Sequence, residues 1–158
     1  MKKNPKPQFK KTNINIGWRE WITFPDNCNF MLKAKIDSGA RTSAIHASHI
    51  HEYEKKGKQW VRFRVYQSSE FMYVDEPIVK YTIVRNSFGV SQKRPLVFMK
   101  IKIGENSWET KISLTERSEM LYPMLIGRNT LNKRYLIHPK RSFVLTNNIN
   151  NNGHINSI

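Results

Sequence analysis

Short runs in which apolar and polar side chains alternate recur along this chain, each closed off by a turn signal. That pattern commits the chain to sheet with one face toward a core. Residues 60–66 are the cleanest case: Val61, Phe63 and Val65 fall on one side, Arg62, Arg64 and Tyr66 on the other. Residues 30–36 repeat it, with Leu32, Ala34 and Ile36 opposed to Met31, Lys33 and Lys35. Residues 78–85 and 90–94 flank Asn86-Ser87-Phe88-Gly89, whose Asn and Gly can take the positive φ of a tight hairpin turn. Residues 96–103 turn at Gly104-Glu105-Asn106 and return through Trp108, Thr110, Ile112 and Leu114. Strands this short and evenly spaced predict an all-β closed barrel. Trp18 and Trp21 read as core or edge anchors. Residues 135–137 and 143–145 read as strands that close the sheet, and 128–133 as one short C-terminal helix.

A chain of 158 residues is one domain by length and can bury a core without disulfide or metal staples. The lone Cys28 excludes an internal bridge and a cysteine-based zinc site. Lys and Arg number 27 against 12 Asp and Glu, so 27 − 12 = +15. Such a field draws nucleic acid, acidic protein segments or anionic lipid without choosing among them. Residues 1–13 read as a basic, flexible tail, 14–146 as the folded domain, and 147–158 as an Asn-rich tail without an apolar face. No apolar stretch follows the basic arm that could act as a signal or a span, so the expectation is a cytoplasmic protein with no membrane partner.

The chemistry concentrates where the 30–36 strand stops. Asp37 follows its last apolar residue, Ser38 offers a hydroxyl to neighbouring backbone, and Gly39 permits a turn that a side chain would resist. Asp-Ser-Gly is also a common turn tripeptide, and alone it leaves turn and active site both open. A second stretch, Pro123-Met124-Leu125-Ile126-Gly127-Arg128-Asn129-Thr130-Leu131, stands far downstream. Together the two resemble the retropepsin-type aspartic proteases, which pair an Asp-Ser/Thr-Gly-Ala loop with a later apolar-apolar-Gly-Arg-Asn motif. Further matches are Ile16-Gly17-Trp18-Arg19-Glu20-Trp21, the run from Ala34 through Asp37 to Ala44, Arg94-Pro95, Leu114-Thr115-Glu116-Arg117 and Met124-Leu125-Ile126-Gly127-Arg128. These resemble the bacterial group labelled RimK-associated ATP-dependent zinc proteases, over residues 14–145.

The resemblance implies a retropepsin-like fold and an aspartic endopeptidase with Asp37, Ser38 and Gly39 as the catalytic loop. It implies Ala40, Arg41, Ile126, Gly127 and Arg128 as the residues lining the substrate. An aspartic protease needs two carboxylates sharing one proton, and this chain supplies one such loop, so a homodimer is implied, with Ser38 bracing the facing loop. No cofactor is needed, and with no phosphate-binding glycine loop the ATP of the family label belongs to a neighbour in the pathway. Retropepsins cover their cleft with a hairpin flap, and the hairpin around residues 86–89 is the best placed candidate, with an ordinary barrel hairpin as the alternative. Where retroviral relatives carry an acid directly after Asp-Thr-Gly-Ala, this chain has Arg41, while Arg128 keeps the arginine that pairs with that acid. Two guanidiniums released from that bridge favour carboxylates, so acidic, Glu- or Asp-rich polypeptides are the expected substrates.

His46, His49 and His51 fall in one segment, but no His-Glu-x-x-His is present, and an extended backbone would put His46 on the face opposite the other two. We therefore expect no metal. The basic, partly aromatic face of residues 60–66 sustains a second reading, a catalytically silent module that binds a ribosomal, RNA or acidic protein partner; a solvated arginine face explains it more simply.

Overall fold

The computed structural model describes residues 13–116, 121–131 and 134–149. Nearly all of the basic tail and most of the Asn-rich tail lie outside them. Every regular element among the described residues is a strand: β1 (Ile14–Gly17), β2 (Arg19–Phe24), β3 (Phe30–Ile36), β4 (Ser43–His46), β5 (Ser48–Lys55), β6 (Lys58–Gln67), β7 (Glu70–Pro77), β8 (Lys80–Arg85), β9 (Ser91–Ile103), β10 (Asn106–Thr115), β11 (Met124–Ile126) and β12 (Tyr135–His138). None of the described residues forms a helix long and apolar enough to cross a membrane.

The largest sheet runs β10-β4-β11-β3-β2-β9-β8, and β9 also pairs with β10, so the ladder returns on itself and leaves β8 outside the ring. The ring is thinnest between β2 and β9, where the register rests on Thr23 opposite Lys102. A second sheet, β5-β6-β7, is a meander, and the third pairs β1 with β12 in parallel. Alternation decides what faces inward. Leu32, Ala34 and Ile36 of β3, Val61, Phe63 and Val65 of β6, and Val97, Met99, Ile101 and Ile103 of β9 belong to one buried cluster, so meander and ring share a core. The hairpins expected around residues 86–89 and 104–106 are present, with Arg85 opposite Ser91 and Ile103 opposite Asn106. Gly89 and Gly104 supply the positive φ, 77° and 60°.

The C-terminal part departs from expectation in three ways. Residues 135–138 form β12, but it pairs with β1 and not with the main sheet. Residues 143–145 are not a strand. Phe143 takes φ 54°, its N–H donates to the Arg19 carbonyl (2.9 Å), and the Val144 and Leu145 N–H groups donate to the Glu20 carboxylate (2.8 and 3.0 Å). The Val144 and Leu145 donors are thus spent on a side chain instead of a ladder. The helix expected at 128–133 is not seen in its described part, where 128–130 make a turn and the Thr130 and Leu131 N–H groups reach back to Gly127 O (3.1 and 3.4 Å). The Thr130 carbonyl, which a continuing helix would use, accepts from Trp108 Nε1 (3.1 Å); residues 132–133 lie outside the described residues.

Glu20 organises this region. It is fully buried, and besides Val144 and Leu145 it accepts the Gly17 N–H (2.9 Å) and the Thr146 hydroxyl (2.5 Å), while Thr146 Oγ1 in turn accepts the Trp21 N–H (3.1 Å). Gly17 has no room for a side chain here, since a Cβ would lie 2.8 Å from Arg141 O and 2.9 Å from Phe143 N. The segment after β12 is therefore strapped across β1 and β2 by one carboxylate. Trp21 is a core anchor as expected, at 1% exposure, whereas Trp18 is only half-buried.

Candidate active site

β11 lies between β3 and β4, parallel to the first and antiparallel to the second, with Ile126 opposite Ile36 and Met124 opposite Ile45. This brings the two stretches singled out in the sequence side by side. The β3 ladder continues one step into the loop, where the Asp37 N–H donates to Ile126 O (2.8 Å). Asp37 then folds over its own turn: its Oδ1 accepts the Gly39 N–H (2.9 Å) and its carbonyl accepts the Ala40 N–H (3.2 Å). A Cβ on Gly39 would stand 3.2 Å from Asp37 Oδ1, tight enough that the carboxylate would have to shift by a few tenths of an ångström; the φ of Gly39 is not in the left-handed region. Asp37 is half-buried, and Ser38 and Gly39 are exposed.

The second loop clasps the first. Arg128 N–H donates to Ala40 O and Asn129 N–H to Arg41 O, both at 2.9 Å, and Arg128 Nη1 reaches the Ser38 carbonyl (2.8 Å). Arg128 is thus a brace for the Asp37 turn as well as an exposed cation, while Arg41 is exposed on the same rim. Gly127 packs against backbone, and a Cβ there would fall 2.7 Å from the Thr42 carbonyl carbon and 3.0 Å from Ala40 O. Gly127→Ala must therefore push the two loops apart. We expect a loss of about 1–3 kcal/mol in urea unfolding, the usual cost of overpacking.

Sequence reasoning missed what lies beneath. Gly127 N–H donates to Ser43 Oγ (3.0 Å), Ser43 and Thr130 share a short hydroxyl bond, and Thr130 Oγ1 also bonds Thr110 Oγ1 (2.8 Å). All three hydroxyl residues are buried, so β4, β10 and the Gly127 turn are tied by a satisfied polar network. Arg19 was missed too. Its guanidinium lies over the rings of Trp18 (4.7 Å) and Phe143 (5.0 Å) and donates to Ser142 Oγ and Tyr122 Oη, both at 3.0 Å. Because Trp18 O accepts the Ile36 N–H (2.8 Å) and Arg19 is opposite Lys35, this cluster adjoins the Asp37 loop.

The histidines have different neighbours. His46 ends β4 with its N–H on Pro123 O (2.8 Å), His49 sits at φ 52° beside Ser48 Oγ (3.1 Å), and His51 stacks on Tyr53 at 5.9 Å. A bulge between Ser48 and His51 resets the alternation on which the facing of these side chains was reasoned. Among the described residues no three His, Cys, Asp or Glu side chains gather where they could hold a metal ion.

A family model described as the retropepsin-like aspartic endopeptidase RimB matches residues 15–148, which include both loops. The chain belongs to the RimB-like family. Its RimB-like sequence is also similar to longer proteins. It is 37% identical over 134 residues to a protein of Shewanella pealeana named a probable alpha-L-glutamate ligase, covering 82% of this chain and 29% of that one. A protein of the same name from Desulfotalea psychrophila is 33% identical over 128 residues, covering 78% and 28%. The RimB-like chain thus spans under a third of the curated relatives it matches. The crystal structure of a Legionella pneumophila protein of unknown function superposes with a TM-score of 0.72 at 32% identity, covering 85% of this chain and 99% of that one.

Proposed function

We propose that this chain is an aspartic endopeptidase that hydrolyses acidic polypeptides as a homodimer. The observation that carries the reading is the placement of Asp37: a half-buried carboxylate at the end of β3, fixed by its own turn and by β11, with Ser38 and Gly39 exposed beside it. One copy presents one such carboxylate. A second copy related by a two-fold axis supplies the other, one carboxylate acting as base on the attacking water and its protonated partner polarising the scissile carbonyl. The exposed hairpin between β8 and β9, with Phe88 at 90% exposure, is the candidate cover for that cleft.

Charge supports the substrate class. Lys35, Arg41 and Arg128 are exposed around the loop in a chain of net charge +15. The relatives named glutamate ligases point the same way, because a ligase so named would build the glutamate-rich chains that this enzyme would cut, and such a ligase is the proposed functional partner. The test is a matched panel of acidic, neutral and basic peptides at low and high salt. Acidic peptides should be cleaved fastest, with the preference shrinking as salt screens exposed charges. Arg41→Ala should reduce that preference, and Arg41→Lys should restore it only in part because the bidentate fork is lost. Arg41 is the cleaner probe, since Arg128 also braces Ser38. Equal cleavage of all classes, unmoved by Arg41→Ala, would remove the acidic-substrate assignment.

A further inference from the structure

The outward face of the β5-β6-β7 meander carries groups that peptide hydrolysis does not use. Its inner face is ordinary: Val61, Phe63, Val65, Met72 and Val74 are buried. Opposite them, β6 turns Arg62, Arg64 and Tyr66 outward and β7 turns Phe71 and Tyr73 outward, with Phe71 45% and Tyr73 53% exposed. The solvent face of a half-buried sheet normally carries small polar and charged side chains, and large exposed rings side by side mark a binding surface.

The rings are contiguous. Tyr66 and Phe71 are 5.1 Å apart by centroid, Phe71 and Tyr73 6.1 Å. The Arg64 guanidinium lies 5.0 Å from the Phe71 ring and 5.1 Å from that of Tyr73, and donates to the hydroxyls of Tyr66 (3.5 Å) and Tyr73 (3.3 Å). Arg62 lies over Tyr53 at 5.2 Å and meets Asp75 at 3.5 Å. The result is a contiguous aromatic platform, its neighbouring rings inclined at 39° and 64° to one another, with two guanidiniums set among them.

We propose that this platform binds single-stranded nucleic acid. Exposed rings on a sheet stack bases with little regard to sequence, and interleaved arginines bond the phosphates between them. The charge of +15 supplies the long-range attraction to a polyanion. An acidic polypeptide would satisfy the guanidiniums and leave the rings without partners; a duplex would offer phosphates but keep its base faces stacked inside. The platform is built from strands other than those that carry Asp37, so the proposal stands apart from the peptidase reading.

The test is fluorescence anisotropy of the full chain with a labelled mixed-sequence RNA of about 12 nucleotides, with a matched duplex and poly-glutamate as competitors. Phe71→Ala and Tyr73→Ala should each weaken single-strand binding by about tenfold. Tyr73→Leu, which keeps apolar bulk for folding, should weaken it comparably, and Arg64→Lys should weaken it while retaining charge. Melting temperature and cleavage of acidic peptides should stay near those of the parent. Single-strand binding unmoved by all of these substitutions would overturn the proposal in favour of charge alone. So would duplex bound as tightly as single strand, or poly-glutamate displacing the RNA and losing affinity in the same variants, the signature of an acidic protein surface.

Discussion

Asp37→Asn should abolish peptidase activity while leaving the protein folded. The side-chain amide still offers an oxygen to the Gly39 N–H, and the bond to Ile126 O is made by the backbone, so the turn survives and stability should change by only about 1 kcal/mol. The amide cannot take a proton from water at working pH, and a lost general base costs at least about 100-fold. Cleavage of an acidic peptide, measured beside a thermal melt, reads both effects. A metal chelator should leave the parent enzyme unchanged. If cleavage survives Asp37→Asn and stops with the chelator, the aspartic mechanism is wrong and the histidines of β4 and β5 become the place to look.

Glu20→Ala should be a strongly destabilising change away from the Asp37 loop. It removes the acceptor of the Gly17, Val144 and Leu145 N–H groups and of the Thr146 hydroxyl at a fully buried position. A buried donor left without a partner costs about 1–3 kcal/mol, so several at once bring the loss to about 4 kcal/mol or more, a large share of a domain's total stability of about 5–15 kcal/mol. Glu20→Gln keeps one acceptor oxygen for the backbone donors and should lose much less, with the Thr146 hydroxyl turned to accept from the new amide. Urea unfolding of the two variants separates the cases. Equal, small losses in both would mean that the strap contributes little.

The sequence made the strands legible wherever one face is apolar and the other charged, as in β3 and the β9–β10 hairpin of the ring and β6 of the meander. β7 escaped because Phe71 and Tyr73, its outward residues, are as apolar as the inward Met72 and Val74, which erases the alternation. The rings that conceal the strand are the same ones that make the platform. Residues 143–145 misled in the opposite direction, since an apolar triplet looks like a strand until a distant carboxylate claims two of its N–H groups. At the site, the Asp37 and Gly127 loops stood out through their motifs. The Ser43–Thr110–Thr130 network did not, because serine and threonine are usually exposed and nothing local marks these as buried.

The parallel pairing of β1 with β12 also bears on how the chain is made. Strands near opposite ends of the described chain must meet, and the Glu20 carboxylate is satisfied only when residues 144–146 arrive. Contact order is therefore high, and a nascent chain emerging from the ribosome holds Glu20 and the open edge of β1 in water until residues 135–146 have been synthesised. Until residues 135–146 have been made, the N-terminal half is a species that chaperones, and other copies of itself, meet first.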